Sequence, residues 1–364
     1  VLVVTLKDQF DLNVGLTALL ILWTAVFTGV LGCLIDSFCN TEAAVTAIER
    51  VDAMANIPCE KPMETTKELA PPSDWPSKGV LVFRDVSLRY RDGLPLALNG
   101  LSFCIPGGKT CGIVGRTGAG KSSITVALFR LVEIEPDGGS ILLDGHDLTK
   151  LGLSNVRGRG MSIIPQDPFL TGANLRECLD PFRQKSDAEI LEALDAVRMG
   201  LSSSNHTDND DDSWTKTKTR VDMTHKALLT TKLEEGGSNY SVGERQLLNL
   251  ARALLVQPRV LVLDEATASI DGETDAFIQK MLRTRFPETT LLTIAHRLNT
   301  IMDYDYVLSM DAGRAAEFDT PANLLENNPE GIFSQLVDAT GAENSNALRE
   351  MALAVKSRRS TKNT

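Results

Sequence analysis

The chain has 364 residues, 43% of them hydrophobic and 23% charged, a composition that suits two or three folded units and excludes a disordered or fibrous chain. Its net charge of −11 argues against nucleic acid as a partner, because such a surface repels phosphate backbones and no basic cluster with interleaved aromatics offsets it. Six cysteines, Cys33, Cys39, Cys59, Cys104, Cys111 and Cys178, show neither C-x-x-C pairing nor zinc spacing and are expected as reduced thiols.

The first element is the uncharged run Val14 to Ile35, 22 residues long and sufficient to cross a hydrocarbon layer of about 30 Å. It is expected as a transmembrane helix rather than a signal peptide, since Lys7, Asp8 and Asp11 precede it and no cleavage site follows. Residues 57–79, with Pro58, Pro62, Pro71, Pro72 and Pro76, are too rich in proline for a helix or central strand and are expected as a linker. Strands are predicted near 81–90 and 109–114, then a helix from Ser123 to Leu131, a mostly helical stretch from 173 to 256, and strands at 260–264 and 289–294 alternating with helices. Within the helical stretch, residues 202–219 form a polar insert containing Asp208, Asp210, Asp211 and Asp212. With no glycine at the sixth loop position and Thr219 where a bidentate glutamate belongs, it is expected as a surface loop rather than a calcium site. The tail from Gly341 ends in Lys356-Ser357-Arg358-Arg359-Ser360, and the sequence leaves open whether it is a mobile basic end or an amphipathic docking helix.

The chemistry lies in Gly115-Arg116-Thr117-Gly118-Ala119-Gly120-Lys121-Ser122, a G-x-x-x-x-G-K-S run between a strand and a helix. Its glycines let the backbone turn tightly, so that successive N–H groups and the following helix start surround the phosphates of a nucleoside triphosphate. Lys121 is suited to the β- and γ-phosphates and Ser122 to Mg²⁺. Val260-Leu261-Val262-Leu263-Asp264-Glu265 is a buried-strand pattern that delivers two carboxylates to the carboxyl edge of a parallel sheet. Asp264 suits the Mg²⁺ shell and Glu265 a water to be activated. Between them Ser241-Val242-Gly243-Glu244-Arg245-Gln246 opens a helix, another good phosphate contact.

At these residues the chain resembles the nucleotide-binding domain of the ATP-binding-cassette transporters over about residues 80–338. The resemblance implies an α/β P-loop nucleotide hydrolase fold with antiparallel β and helical subdomains, preceded by a transmembrane helix. It also implies roles for further residues. Tyr90 falls where the family stacks an aromatic ring on adenine, and Ser123 follows the phosphate loop. Gln166 falls at the loop that joins the Mg²⁺ and attacking-water shell, Asp271 in the loop that crosses the dimer interface, and His296 at the switch that contacts the γ-phosphate. Ser241, Gly243 and Glu244 occupy the signature L-S-G-G-Q, from which Val242 and Glu244 depart. The runs G-R-T-G-A-G-K-S-S from Gly115, Leu179-Asp180-Pro181-Phe182 and Glu317-Phe318-Asp319-Thr320-Pro321 look like subfamily C, the multidrug-resistance-associated exporters, and most like its second nucleotide-binding domain.

That resemblance implies ATP and Mg²⁺ as cofactors and an integral membrane protein with this domain in the cytosol. Residues 1–56 then end a transmembrane domain, residues 339–364 form a tail, and the partners are the first nucleotide-binding domain and the membrane domains of the same transporter. Because one helix cannot line a pathway and the chain begins at Val1 inside an apolar run, it is expected to be the C-terminal piece of a longer protein. A regulatory channel or receptor subunit of the same subfamily is the alternative. A chromosome-maintenance ATPase is disfavoured because no heptad stretch interrupts residues 132–240, and a GTPase because no N/T-K-x-D motif occurs.

Overall fold

The computed structural model describes residues 13–57, 59–199, 227–264, 272–295 and 297–362. The polar insert therefore lies outside the described residues, as do Glu265, Asp271 and His296. Two compact units divide between Lys61 and Pro62.

The first unit is one helix, α1 (Val14–Ala55). The Asn13 side chain caps it by accepting from the Gly15 N–H at 3.3 Å, and Asn56 closes it two residues before Pro58. Its apolar part is long and hydrophobic enough to cross a bilayer. Within that part the hydroxyls of Thr24 and Thr28 donate to the carbonyls of Leu20 and Thr24, so neither presents an unmet donor to an apolar medium. The helix continues past the expected span, from Asp36 to Ala55, where charged residues replace the apolar run.

The second unit is an α/β domain of two sheets and a helical part. Strands β1 (Leu81–Leu88), β2 (Leu98–Ile105), β4 (Ser140–Leu143) and β5 (His146–Asp147) make an antiparallel sheet in the order β2-β1-β4-β5. Strands β3 (Thr110–Gly115), β6 (Ser162–Ile164), β7 (Val260–Asp264), β8 (Thr290–Ile294), β9 (Tyr306–Asp311) and β10 (Arg314–Asp319) make the second, in the order β10-β9-β3-β8-β7-β6. All neighbours in it are parallel except the β9–β10 hairpin at the edge. Strands β7 and β8 are buried on both faces, which is why β7 reads as an apolar run up to Asp264 and β8 carries Thr290 and Thr293 only with their hydroxyls bonded to Gly79 C=O and the Tyr304 hydroxyl.

Helix α2 (Lys121–Leu128) follows the P-loop and, with the antiparallel sheet, covers one face of the parallel sheet. Phe83 and Phe103 stack there with ring centroids 4.5 Å apart. A second core includes the helical part: α3 (Leu175–Leu179), α4 (Asp187–Ala196) and α5 (Val242–Val256), with Ile190, Leu194, Leu248 and Leu250 buried among Leu261, Leu263 and Phe333. Helices α6 (Gly272–Arg285), α7 (Pro321–Asn327), α8 (Ile332–Asp338) and α9 (Ala342–Lys362) complete the chain. The expected α/β architecture with antiparallel and helical parts is present. The strands read from sequence at 81–90, 109–114, 260–264 and 289–294 are β1, β3, β7 and β8.

Residues 62–79 are packed on this domain. Leu153 N–H donates to Pro62 C=O at 3.1 Å and Ser154 N–H to Met63 C=O at 2.9 Å, Trp75 is buried with its indole N–H on Leu143 C=O, and Asp144 receives the N–H groups of Ser77, Lys78, Gly79 and Val80. The tail is a docked helix rather than a loose end: α9 buries Leu348 and Ala352 and pairs Arg349 with Asp338.

Candidate functional site

Four parallel strands release their chains at the same edge of the sheet. The registers Ile113↔Ile294, Asp264↔Ile294 and Ile164↔Leu263 bring Gly115 at the end of β3, Pro165-Gln166 after β6, Asp264 at the end of β7 and Ala295 after β8 to that edge. This is where open α/β sheets bind ligands.

The loop from Gly115 to Gly120 is held in shape by its backbone. Gly118 (φ +84°) and Gly120 (φ +98°) adopt left-handed conformations that L side chains rarely take. A Cβ on Gly120 would also stand 2.7 Å from the Ala97 carbonyl oxygen. Ala119 is buried; its N–H donates to Arg116 C=O at 3.1 Å and its carbonyl accepts from Gly313 N–H at 3.0 Å, so the β9–β10 turn buttresses the loop. Thr117 and Gly118 are exposed. No side chain caps α2, which leaves its first N–H groups and the positive end of its dipole directed at the loop.

Lys121 opens that helix, and its ammonium donates to the carbonyls of Gly115 at 2.9 Å and Arg116 at 3.2 Å. It lies along the loop, within reach of whatever the loop encloses. Ser122 is exposed beside it, whereas Ser123 is buried with its hydroxyl 3.1 Å from that of Tyr90. Tyr90 is therefore tied to the P-loop helix while 46% of its surface stays open, a ring on which a planar base can stack. The hard oxygen donors at this edge, Ser122 hydroxyl, Asp264 carboxylate and Gln166 amide, fit a Mg²⁺ ion that keeps several of its waters. Glu265 and His296, adjoining Asp264 and Ala295, lie outside the described residues.

The signature residues form a separate helix start. Ser241 is the N-cap of α5, its hydroxyl accepting from Glu244 N–H at 3.3 Å while the Glu244 carboxylate accepts from Ser241 N–H at 2.8 Å, a reciprocal capping box. The Ser241 hydroxyl also lies 2.8 Å from that carboxylate, to which it donates. Ser241 and Glu244 are exposed and Gly243 half-exposed. Among the described residues, no hydrogen bond joins residues 240–244 to residues 115–123. The structure thus gathers Tyr90 and the P-loop in one place and presents the signature apart, to solvent.

One residue was missed by the sequence reading. Gln246, two positions beyond Glu244, is buried and its amide donates to the carbonyls of Pro165 at 3.0 Å and Gln166 at 3.1 Å. It fastens the Gln166 loop to the signature helix. The available signal was a polar residue among apolar positions on the inner face of α5.

The sequence profile of the ABC transporter family matches residues 98–268. The chain is 42% identical over 344 residues to ABC transporter C family member 3 of Dictyostelium discoideum, covering 94% of this chain and 22% of that protein. To ATP-binding cassette sub-family C member 3 of Mus musculus it is 43% identical over 331 residues, covering 91% and 20%. The chain thus spans about a fifth of the length of these relatives. Among solved structures, a bacterial Atm1-family ABC exporter with ATP bound superposes with a TM-score of 0.67 at 27% identity, covering 81% of this chain and 47% of that one. Fold, P-loop edge and relatives agree that the chain carries the nucleotide-binding domain of an ABC transporter and belongs to subfamily C.

Proposed function

We propose that this chain is the ATP-hydrolysing C-terminal part of a subfamily C exporter, with α1 as the last membrane helix, the rest of the chain in the cytosol, and anionic or conjugated molecules as the exported substrates. The observation that carries this reading is a P-loop with Tyr90 tied to its helix and Asp264 at the same sheet edge as the loop, in a chain that also holds an apolar helix long enough to span a bilayer. The whole protein's transport activity rests on the relatives, of which this chain matches only a part.

In this reading adenine stacks on Tyr90, and residues Gly118 to Ser122 donate backbone N–H groups to the phosphates. Lys121 transfers its ammonium from the loop carbonyls to the β- and γ-phosphates, replacing two neutral acceptors by anionic ones. Ser122, Asp264 and Gln166 would hold Mg²⁺, which would supply charge neutralisation to the triphosphate. Glu265 orients a water in line with the γ-phosphorus and accepts its proton, and His296 steadies the γ-phosphate. The signature of the first nucleotide-binding domain closes the cage, and Asp271 lines the interface between the two domains. Closure and release then drive a switch in the membrane helices.

The test is Glu265→Gln in the assembled transporter. It keeps the side chain's shape and removes its basicity, so ATP binding is retained while turnover falls by about 10² to 10⁴-fold. Comparable ATPase rates for the variant and the parent would overturn the assignment.

A further inference from the structure

The last turns of α9 meet the domain through cations on the helix against oxygens on the body. Lys356 pairs with Glu326 at the end of α7. Arg359 donates to the backbone carbonyls of Asp303 at 2.8 Å and Tyr304 at 3.3 Å, and its guanidinium stands 3.3 Å from the Asp305 carboxylate. Asp305 in turn accepts from the N–H and hydroxyl of Thr110 at the start of β3. The last turns of α9 thus brace the segment that begins the parallel pair β3–β9. Other cations already attend the same rim, Arg283 on Asp303 and Lys109 on Asp305.

Ser357 sits between these docking cations, in Lys356-Ser357-Arg358-Arg359. Its side chain is exposed, and its hydroxyl donates to the Ala354 carbonyl of its own helix at 2.9 Å. A serine among cations at the end of a helix, where the last turn frays most readily, is what a protein kinase with an acidic substrate groove accepts.

We propose that Ser357 is a phosphorylation site whose modification undocks the C-terminal turns of α9. In the step, Ser357 Oγ attacks the γ-phosphorus of ATP held by the kinase, the bond to the ADP oxygen breaks, and the hydroxyl proton passes to the kinase's carboxylate base. The product carries nearly two negative charges and three acceptor oxygens, one residue from Lys356 and two from Arg359. Side chains one and two positions apart on a helix do not face each other, so the phosphate acts through the helix end: a dianion in the C-terminal turns opposes the negative end of the helix dipole and loosens the turns that carry Lys356 and Arg359 to Glu326 and Asp305. The inference does not depend on what the P-loop hydrolyses.

The experiment treats the full chain in detergent with a purified basophilic kinase and ATP, maps the phosphate by mass spectrometry and measures amide hydrogen exchange. Phosphate is expected on Ser357, with exchange about tenfold faster at 303–305 and 353–359, and with no change in kinase-treated Ser357→Ala. The unphosphorylated Arg359→Ala variant is expected to loosen 303–305 by itself. Absence of phosphate from Ser357, phosphate there with unchanged exchange, or full protection of 303–305 in Arg359→Ala would each overturn the proposal.

Discussion

Lys121 shows how a single side chain holds a site before its ligand arrives. In the structure its ammonium bonds the Gly115 and Arg116 carbonyls, contacts that in the proposed function a triphosphate replaces with stronger, charge-assisted ones. Because these contacts form in the ground state, Lys121→Ala is expected to weaken nucleotide affinity by about tenfold or more and to lower turnover as well. Equilibrium binding of a fluorescent ATP analogue checks it; unchanged affinity would count against the P-loop assignment. Gln246 makes a complementary case. Both Gln246→Ala and Gln246→Met leave the Pro165 and Gln166 carbonyls without the amide that serves them, at a cost of about 1–3 kcal/mol. Since methionine keeps the length and lacks the donors, equal loss in the two variants during urea unfolding identifies donation, not packing, as the role.

At the scale of elements, the end of the arm from Pro62 to Val80, residues 77–80, is held through one carboxylate, Asp144. Burial pushes the Asp144 carboxyl up, but the N–H groups of Gly79, Val80, Lys78 and Ser77 together outweigh it and hold it below the ordinary aspartate range. A depressed carboxylate stabilises the folded arm fully above the unfolded aspartate value of about 3.9, and the contribution disappears as pH falls through the folded value. Amide exchange at 77–80 should therefore accelerate below about pH 4. Asp144→Asn should abolish that pH dependence and destabilise the arm by about 1–2 kcal/mol at neutral pH. Asparagine is the right probe because Asp144 has φ +47°, a left-handed conformation that it tolerates. A flat exchange profile in the parent would refute the account.

The same scale shows why some elements were legible and others not. The strands at 260–264 and 290–294 announce themselves because both faces are buried, and the helix after the P-loop because its motif requires one. The β9–β10 hairpin was unread although Asp311-Ala312-Gly313-Arg314 carries its turn: Ala312 at φ +46° and Gly313 at φ +76° adopt it, and alanine is a weak sign of such a turn. Strands β4 and β6, of four and three residues, are too short for a period to emerge and owe their state to the partners they pair with.

The whole molecule presents a complete phosphate loop and, elsewhere, a signature whose hydrogen bonds stay within its own helix. By hypothesis each ATP is shared between one domain's loop and the other's signature, so the isolated chain is expected to bind ATP as a monomer and hydrolyse it poorly. Specific activity should rise across a dilution series, and rise further on adding the first nucleotide-binding domain. Fast, concentration-independent turnover by the monomer would refute the shared site. On the same reading, the departures Val242 and Glu244 slow the site that this signature completes and leave the site on this chain's own P-loop intact.

What the sequence by itself determined are the contiguous patterns. The glycines and Lys121 of the loop, the apolar strand running into Asp264 and the uncharged run from Val14 are legible locally, because a tight turn, a buried strand and a long apolar helix each demand particular residue types in contiguous order. What only the tertiary structure decided are the contacts made across long separations. Gln246 on the Gln166 loop, Gly313 behind Ala119, Asp144 beneath the arm and Arg359 on the Asp303–Asp305 segment join residues from 56 to 194 positions apart, and no local pattern encodes such pairs. They exist because burying two cores brings those polar groups together, where each must find a partner or bear the cost of lost hydration.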